Sequence, residues 1–247
     1  MTQKPVRVGM LVPSSNTVLE PYTSAMFHAF GDAASVHYAR FRVVEISLSS
    51  ASRGQFDISP ILEAAERLAE TEPDLIVWNG TSASWLGLET DQNLCAAITH
   101  RTGVRATSTS LAFDALFRGI GLQQIGIVTP YLPEIQARIV ENFAARGIRV
   151  VAETHLSDKG NHSFASYSPA VVAGLVRDVA RAGPEAIAII CTNFRGAGVA
   201  QALEADLSVP VFDSVAVTAA YAMHLTGLDS SGVRGWGQVF QQTADFG

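Results

Sequence analysis

Residues 74–82 read DLIVWNGTS, a short apolar run that stops at small polar residues, and residues 185–193 read EAIAIICTN in the same pattern. Two further pairs of stretches occur in the same order along the chain: VGMLVP (8–13) with IGIVTP (125–130), and GVRATSTS (103–110) with SVPVFDSV (208–215). A single pair of this kind is common, because all βαβ units resemble one another. Three pairs in the same order indicate an internal duplication.

Short apolar runs rich in Val and Ile alternate with segments of helical period, which is typical of a parallel sheet covered by helices on both faces. The predicted strands are Val6–Val12, Ser35–Arg42, Leu75–Trp78, Val104–Ala106, Ile125–Val128, Arg149–Glu153, Ala186–Ile190 and Val209–Phe212. The fold class is therefore α/β. We expect two pseudo-symmetric lobes, each a mainly parallel sheet flanked by helices.

The duplication also predicts where the chain divides. The first lobe takes residues 1–112 and 213–228, the second takes 113–212, and 229–247 form a tail that is a lid, an oligomer contact or a disordered segment. Ligands in open α/β sheets bind beyond the carboxyl ends of the strands. We therefore expect an active site in the cleft between the lobes, lined by the loops that follow the strands.

Composition excludes several classes of function. The 247 residues are 48% hydrophobic and 16% charged, against about 25% charged for an average domain, so the chain is not disordered. The net charge is -6, and the sequence contains no run of Lys and Arg, which argues against nucleic acid as a partner. The apolar run at 8–12 is too short for a signal peptide or a membrane span, so we predict a cytoplasmic protein. No metal-ligand or nucleotide motif occurs in the sequence, and no cofactor is expected.

Cys191 is the candidate catalytic residue. It follows an apolar run and precedes Thr192 and Asn193, so we expect its sulfur at a strand end, near the backbone N–H groups of a helix start. Such surroundings stabilise a thiolate and make a cysteine usable as an acid, a base or a nucleophile. The alternative is a buried structural cysteine. Cys95 lies on the apolar stripe of a predicted helix, and we interpret it as a packing residue.

The motif that begins at Gly80 is the first-lobe counterpart of the motif that begins at Cys191. Thr81 and Ser82 offer two hydroxyls, and the backbone adds N–H groups, which together suit a carboxylate or an enolate. The alternative is that Thr81 or Ser82 caps a helix. Both interpretations are compatible.

Three more polar residues are candidates for binding a substrate carboxylate. Asn16 belongs to a run of small donors, SSNT, after the first strand, and Tyr131 lies in the equivalent loop of the second lobe. Asn161 lies in the polar stretch 157–163. With Gly80, Thr81, Ser82, Thr192 and Asn193 they form the predicted binding set for a small dicarboxylate.

Four motifs resemble the aspartate/glutamate racemase superfamily, in the branch that contains maleate cis-trans isomerase and arylmalonate decarboxylase. They are VPSSNTVLEP (12–21), NGTSASWLG (79–87), TPYLPE (129–134) and ICTNFRG (190–196), and the resemblance spans about residues 6–225. It implies a cofactor-independent enzyme with two pseudo-symmetric lobes and one cysteine per lobe across a shared cleft. It also implies that Asn16, Tyr131 and Asn161 bind carboxylate groups.

The sequence departs from racemases and maleate isomerases at Gly80, where they carry a cysteine. A glycine followed by Thr and Ser, with a lone second-lobe cysteine, is what arylmalonate decarboxylase looks like. The resemblance therefore implies decarboxylation of a substituted malonate, with Cys191 protonating an enediolate. The alternatives are a maleate-type isomerase or racemase-like enzyme that uses Cys191, and a non-catalytic dicarboxylate-binding protein. The sequence is also compatible with a homo-oligomer.

Overall fold

The computed structural model describes residues 4–42, 58–241 and 246. They form two four-stranded sheets in which neighbouring strands are parallel, with the orders β2-β1-β3-β4 and β6-β5-β7-β8. The strands are β1 Val6–Pro13, β2 Ala34–Phe41, β3 Leu75–Trp78, β4 Ala106–Ser108, β5 Gln124–Thr129, β6 Arg149–His155, β7 Ala186–Ile189 and β8 Val211–Asp213. The predicted α/β fold with two similar sheets is confirmed.

Helices follow the strands in both halves. The first half contains α1 Leu19–Phe27, α2 Ser59–Ala69, α3 Ala83–Leu86, α4 Leu88–Thr102 and α5 Thr109–Gly119. The second contains α6 Pro133–Ala145, α7 Pro169–Ala180, α8 Ala197–Leu207 and α9 Ser214–Leu225. Short 3₁₀ helices lie at His28–Ala33, Ser163–Ser166, Ser230–Gly232 and Gln238–Gln241. No helix in the described part of the chain is long and apolar enough to cross a membrane.

The strand sequences follow from where each strand lies in its sheet. β3 (LIVW) and β7 (AIAI) are buried along their whole length, as expected for inner parallel strands that helices cover on both faces. β2 and β6 lie at the sheet edges and are mostly half-buried, and they carry His, Arg and Glu. The carboxyl ends of β3 and β7 therefore lie inside the protein, at the middle of each sheet.

Two strands begin later than the sequence predicts. The runs at 104–106 and 209–212 pair only from Ala106 and Val211 onward. The Val104 N–H donates to Thr102 Oγ1 (3.1 Å), so its backbone closes a turn. Pro210 has no N–H to donate to a neighbouring strand. The lobe boundaries at 112 and 213 stay a prediction.

The described part of the tail packs as part of the fold. Glu204 of α8 accepts hydrogen bonds from the backbone N–H of Val211 (3.0 Å) and of Gln238 (2.8 Å), which joins the tail to β8. The Trp236 ring lies 5.3 Å from the Tyr22 ring of α1. Residues 229–241 therefore connect the second sheet's helices to the first helix of the chain.

We predict that Glu204 stabilises this connection. Glu204→Ala leaves two backbone N–H groups without their acceptor, so the free energy of unfolding should fall by about 1–3 kcal/mol in urea titrations. The control is Glu141→Ala, which breaks an exposed ion pair with Arg138 (3.0 Å) and should change stability by less than about 0.5 kcal/mol. Equal effects of the two substitutions would contradict the role of Glu204.

Candidate active site

The loops after β1, β3 and β7 meet where the two halves of the chain touch. Asn16 Nδ2 donates to Thr192 Oγ1 (3.1 Å), and the Thr192 hydroxyl donates to the backbone oxygen of Asn79 (3.1 Å). The Thr17 N–H donates to Asn193 Oδ1 (3.0 Å). The structure thus brings together loops that lie far apart in the sequence, as the duplication predicts.

The side chains of Asn16 and Asn161 both form hydrogen bonds within the protein. Asn16 Oδ1 accepts from the N–H groups of Val18 (3.0 Å) and Leu19 (2.9 Å) at the start of α1. Asn161 Nδ2 donates to Ser15 Oγ (2.9 Å), while the Asn161 backbone oxygen accepts from Asn193 Nδ2 (2.6 Å). These amides hold the strand-end loops together, and their role toward a carboxylate stays a prediction.

Thr81 and Tyr131 form a pair of hydroxyls across the two halves. Thr81 Oγ1 and Tyr131 Oη lie 2.7 Å apart, and both residues are buried. The Tyr131 ring packs against Trp85 and Phe164, with ring centroids 5.1 and 5.5 Å away. Ser82 precedes α3 without a capping hydrogen bond from its side chain. The hydroxyls of Thr81 and Ser82 are therefore not used as helix caps.

Cys191 lies two residues after the end of β7 and is only 3% exposed. Its backbone N–H donates to Ser214 Oγ (3.0 Å). The Tyr131 hydroxyl and the Asn193 N–H face the sulfur and favour the thiolate, but burial is the largest effect and the carboxyl of Asp213 opposes ionisation as well. Together they raise the pKa of Cys191 to about 12.

This corrects two expectations about Cys191. The sequence predicts a helix start immediately after the cysteine, whereas α8 begins only at Ala197. The sequence also predicts a thiol pKa lowered by that helix, whereas burial raises it. The thiol at this site is held in its protonated form.

Gly80 stands where the repeat places the counterpart of Cys191, and its surroundings explain why it is a glycine. A Cβ at position 80 would overlap the Cζ2 and Cε2 atoms of the Trp78 indole. Trp78 is itself 5% exposed and packs on Phe41, with ring centroids 5.2 Å apart. The indole fills the space that any side chain at position 80 requires.

Sequence reasoning missed Trp78 and two buried carboxyl groups. Asp91 lies in α4, and burial raises its pKa to about 6. Asp213 ends β8, and burial raises its pKa to about 7. The available signals were a Trp two residues before the glycine and an Asp that aligns with Ser108 in the repeat. Among residues 4–42, 58–241 and 246, no group of three or more His, Cys, Asp or Glu side chains is placed to hold a metal ion.

The fold and the site define a two-lobed α/β protein with one buried cysteine between hydroxyl and amide donors. The sequence profile of the arylmalonate decarboxylase family matches residues 8–240. The chain therefore belongs to that family, which confirms the resemblance found in the motifs.

Individual relatives carry two kinds of names. The maleate isomerase of Geobacillus stearothermophilus is 22% identical over 228 residues, which cover 87% of this chain and 89% of the relative. The arylmalonate decarboxylase of Bordetella bronchiseptica is 23% identical over 189 residues, which cover 75% and 79%. The structure of the maleate isomerase Iso from Pseudomonas putida S16 superposes with a TM-score of 0.87 at 20% identity, covering 97% of this chain and 100% of that one. The chain is an enzyme of this decarboxylase and isomerase family.

We predict that Gly80 and Trp78 are sterically coupled. Gly80→Ala should lower the free energy of unfolding by about 1–3 kcal/mol, as over-packing does. Gly174→Ala is the control, because Gly174 is an exposed helix position where a Cβ would meet open space. This substitution should raise the free energy of unfolding by about 0.5–1 kcal/mol.

A double-mutant cycle separates overlap from general damage. Trp78→Val should lower the free energy of unfolding of the parent, because core packing is lost. The loss should be smaller when Ala already occupies position 80, with a coupling free energy of about 1 kcal/mol or more. Chemical denaturation of the four proteins measures this coupling. Simple additivity of the two substitutions would contradict the overlap.

Proposed function

We propose that this enzyme decarboxylates a substituted malonate and that Cys191 protonates the resulting enediolate. The observation that carries the proposal is a buried thiol where the strand-end loops of the two halves meet, held protonated by its surroundings. A thiolate is the nucleophilic form of cysteine, whereas a thiol is a proton donor. The chain's other cysteine, Cys95, lies in α4, where burial raises its pKa to about 12.

The pair of hydroxyls suits the charge that forms during the reaction. Thr81, Ser82, Tyr131 and nearby backbone N–H groups hold the carboxylate that stays on the substrate. Burial raises the pKa of Tyr131 well above its usual value, so its hydroxyl keeps a proton to donate. The same donors stabilise the enediolate, where negative charge develops on those oxygens.

The reaction needs no electron acceptor. The bond between the α-carbon and the departing carboxylate breaks, carbon dioxide leaves, and the electron pair stays behind in the enediolate. Aromatic rings of Trp85 and Phe164 pack around Tyr131 and limit water, and a desolvated carboxylate loses its charge more readily. The α-carbon then takes the proton of Cys191, and the thiolate regains a proton from water.

A maleate-type isomerase is the second candidate. The specific observation in its favour is the more extensive match to the maleate isomerase relative, which covers 87% of the chain. That reaction requires a thiolate that adds to a double bond. With burial holding the thiol protonated and no room for a side chain at Gly80, the decarboxylase fits the site better.

Proton NMR in heavy water on a panel of substrates tests the proposal. Aryl- and alkyl-substituted malonates should release carbon dioxide and give α-deuterated monoacids. Conversion of maleate to fumarate without decarboxylation would favour the isomerase. Binding of these acids with no turnover of any of them would favour the non-catalytic binding protein.

We predict that Cys191→Ala lowers the turnover of the accepted substrate by about 10²-fold or more, as loss of a general acid does. Cys95→Ala is the matched control and should retain activity, since Cys95 packs in α4. Steady-state kinetics measure both variants, and circular dichroism checks that they are folded. Normal turnover by a folded Cys191→Ala protein would exclude the proton-donor role.

A further inference from the structure

The sheet whose inner strand β7 leads to Cys191 also carries a fully buried carboxyl group. Asp213 ends β8 and is 0% exposed. Its Oδ1 accepts hydrogen bonds from the N–H groups of Val215 (2.8 Å) and Ala216 (3.3 Å), which caps α9. Its Oδ2 is buried and accepts no well-aligned hydrogen bond, although the backbone N–H of Ala197, the first residue of α8, lies near enough to favour the charged carboxylate. The cap of α9 therefore uses one oxygen of this carboxyl, and the other lies at the start of α8.

The duplication shows that the cap does not require a charge. The aligned residue in the first sheet is Ser108, whose Oγ accepts from the Leu111 N–H (3.1 Å) and caps α5. A neutral hydroxyl thus does the same structural work at the same place in the fold. The first sheet, which leads to Gly80, carries the serine, and the second sheet, which leads to Cys191, carries the carboxyl.

Strand pairing places Asp213 next to the end of the strand that leads to Cys191. Asp213 is in register with Ile189 of β7. The next residue, Ser214, donates through its hydroxyl to the Ile189 oxygen (2.8 Å) and accepts from the Cys191 N–H (3.0 Å). A Cβ at Gly196 would overlap Asp213 Oδ2, so the loop that follows Cys191 passes directly over the carboxyl.

We propose that Asp213 is a positioning residue for proton transfer, and that its carboxylate opposes ionisation of Cys191 so that the thiol keeps its proton. The inference rests on the proposed role of Cys191 as proton donor. Its physical basis is the repulsion between two negative charges in a buried site.

Four influences act on the Cys191 sulfur. Burial and Asp213 favour the thiol, whereas the Tyr131 hydroxyl and the Asn193 N–H favour the thiolate. Tyr131 and Asp213 are the titratable side chains that act on the sulfur, and in the described part of the chain no charged side chain forms an ion pair with Asp213. Because burial raises the pKa of Asp213 to about 7, the carboxyl is charged above neutral pH and neutral below it.

Alkylation of Cys191 by iodoacetamide tests the inference, because it needs no substrate and therefore stands apart from the test of the reaction. The parent is Cys95→Ala, which leaves one cysteine in the chain. Asp213→Asn keeps an oxygen acceptor for the cap, and Asp213→Ser introduces the residue that caps the equivalent helix after the first sheet. Both remove the charge.

At pH 8.5 both variants should be alkylated about three- to tenfold faster than the parent, because the thiolate fraction rises when the repelling charge is removed. At pH 6 the parent's carboxyl is mostly protonated, so the ratio should fall to about one. Asp91→Asn in the same parent is the control. It removes the buried carboxyl that acts on Cys95, and it should leave the rate at Cys191 unchanged.

Two results would overturn the inference. Equal rates for the Asp213 variants and the parent at pH 8.5 would show that the carboxyl does not act on the thiol. Faster alkylation by the same factor at pH 6 and pH 8.5 would show a loosened structure instead of a lost charge. The parent alone provides a check that needs no folded variant: its rate should rise less than about tenfold per pH unit through the titration of Asp213, and a full tenfold rise throughout would also contradict the inference.

Discussion

Burial of one thiol between two duplicated halves is the constraint on which the site depends. The strand-end loops place Cys191 next to the hydroxyl of Tyr131, which pairs with Thr81. The surrounding residues leave Cys191 3% exposed. Desolvation of a thiolate is costly, so this placement keeps the proton on sulfur. A buried thiol beside fixed hydroxyl donors suits a reaction in which a carbanion forms and takes up a proton.

The two halves have the same strand order but differ where the chemistry lies. One half has Gly80 covered by the Trp78 indole, and the other has Cys191 with Asp213 nearby. In the alignment of the two repeats, Gly80 therefore corresponds to Cys191, and Ser108 corresponds to Asp213. Duplication provides two equivalent loop sets, and the substitutions in them leave a thiol on one side only.

Most of the fold follows from local patterns in the sequence. β3 and β7 are continuous apolar runs that end in small polar residues, which suffices to locate them and the loops that follow. The direction of the Trp78 ring depends on packing with Phe41 across the sheet, and a linear pattern does not contain it. The sign of the pKa shift of Cys191 also needed the structure, because only three dimensions show that burial outweighs the nearby N–H groups.

The stereochemistry of the product tests the central claim most directly. A malonate that carries one aryl and one alkyl group at its α-carbon, decarboxylated in heavy water, should give a monoacid with one deuterium at the α-carbon and a single configuration, because one donor lies on one face of the enediolate. Chiral chromatography with mass spectrometry measures both properties. A racemic product, formed by the enzyme at a rate above the uncatalysed one, would contradict protonation by Cys191 from a single side.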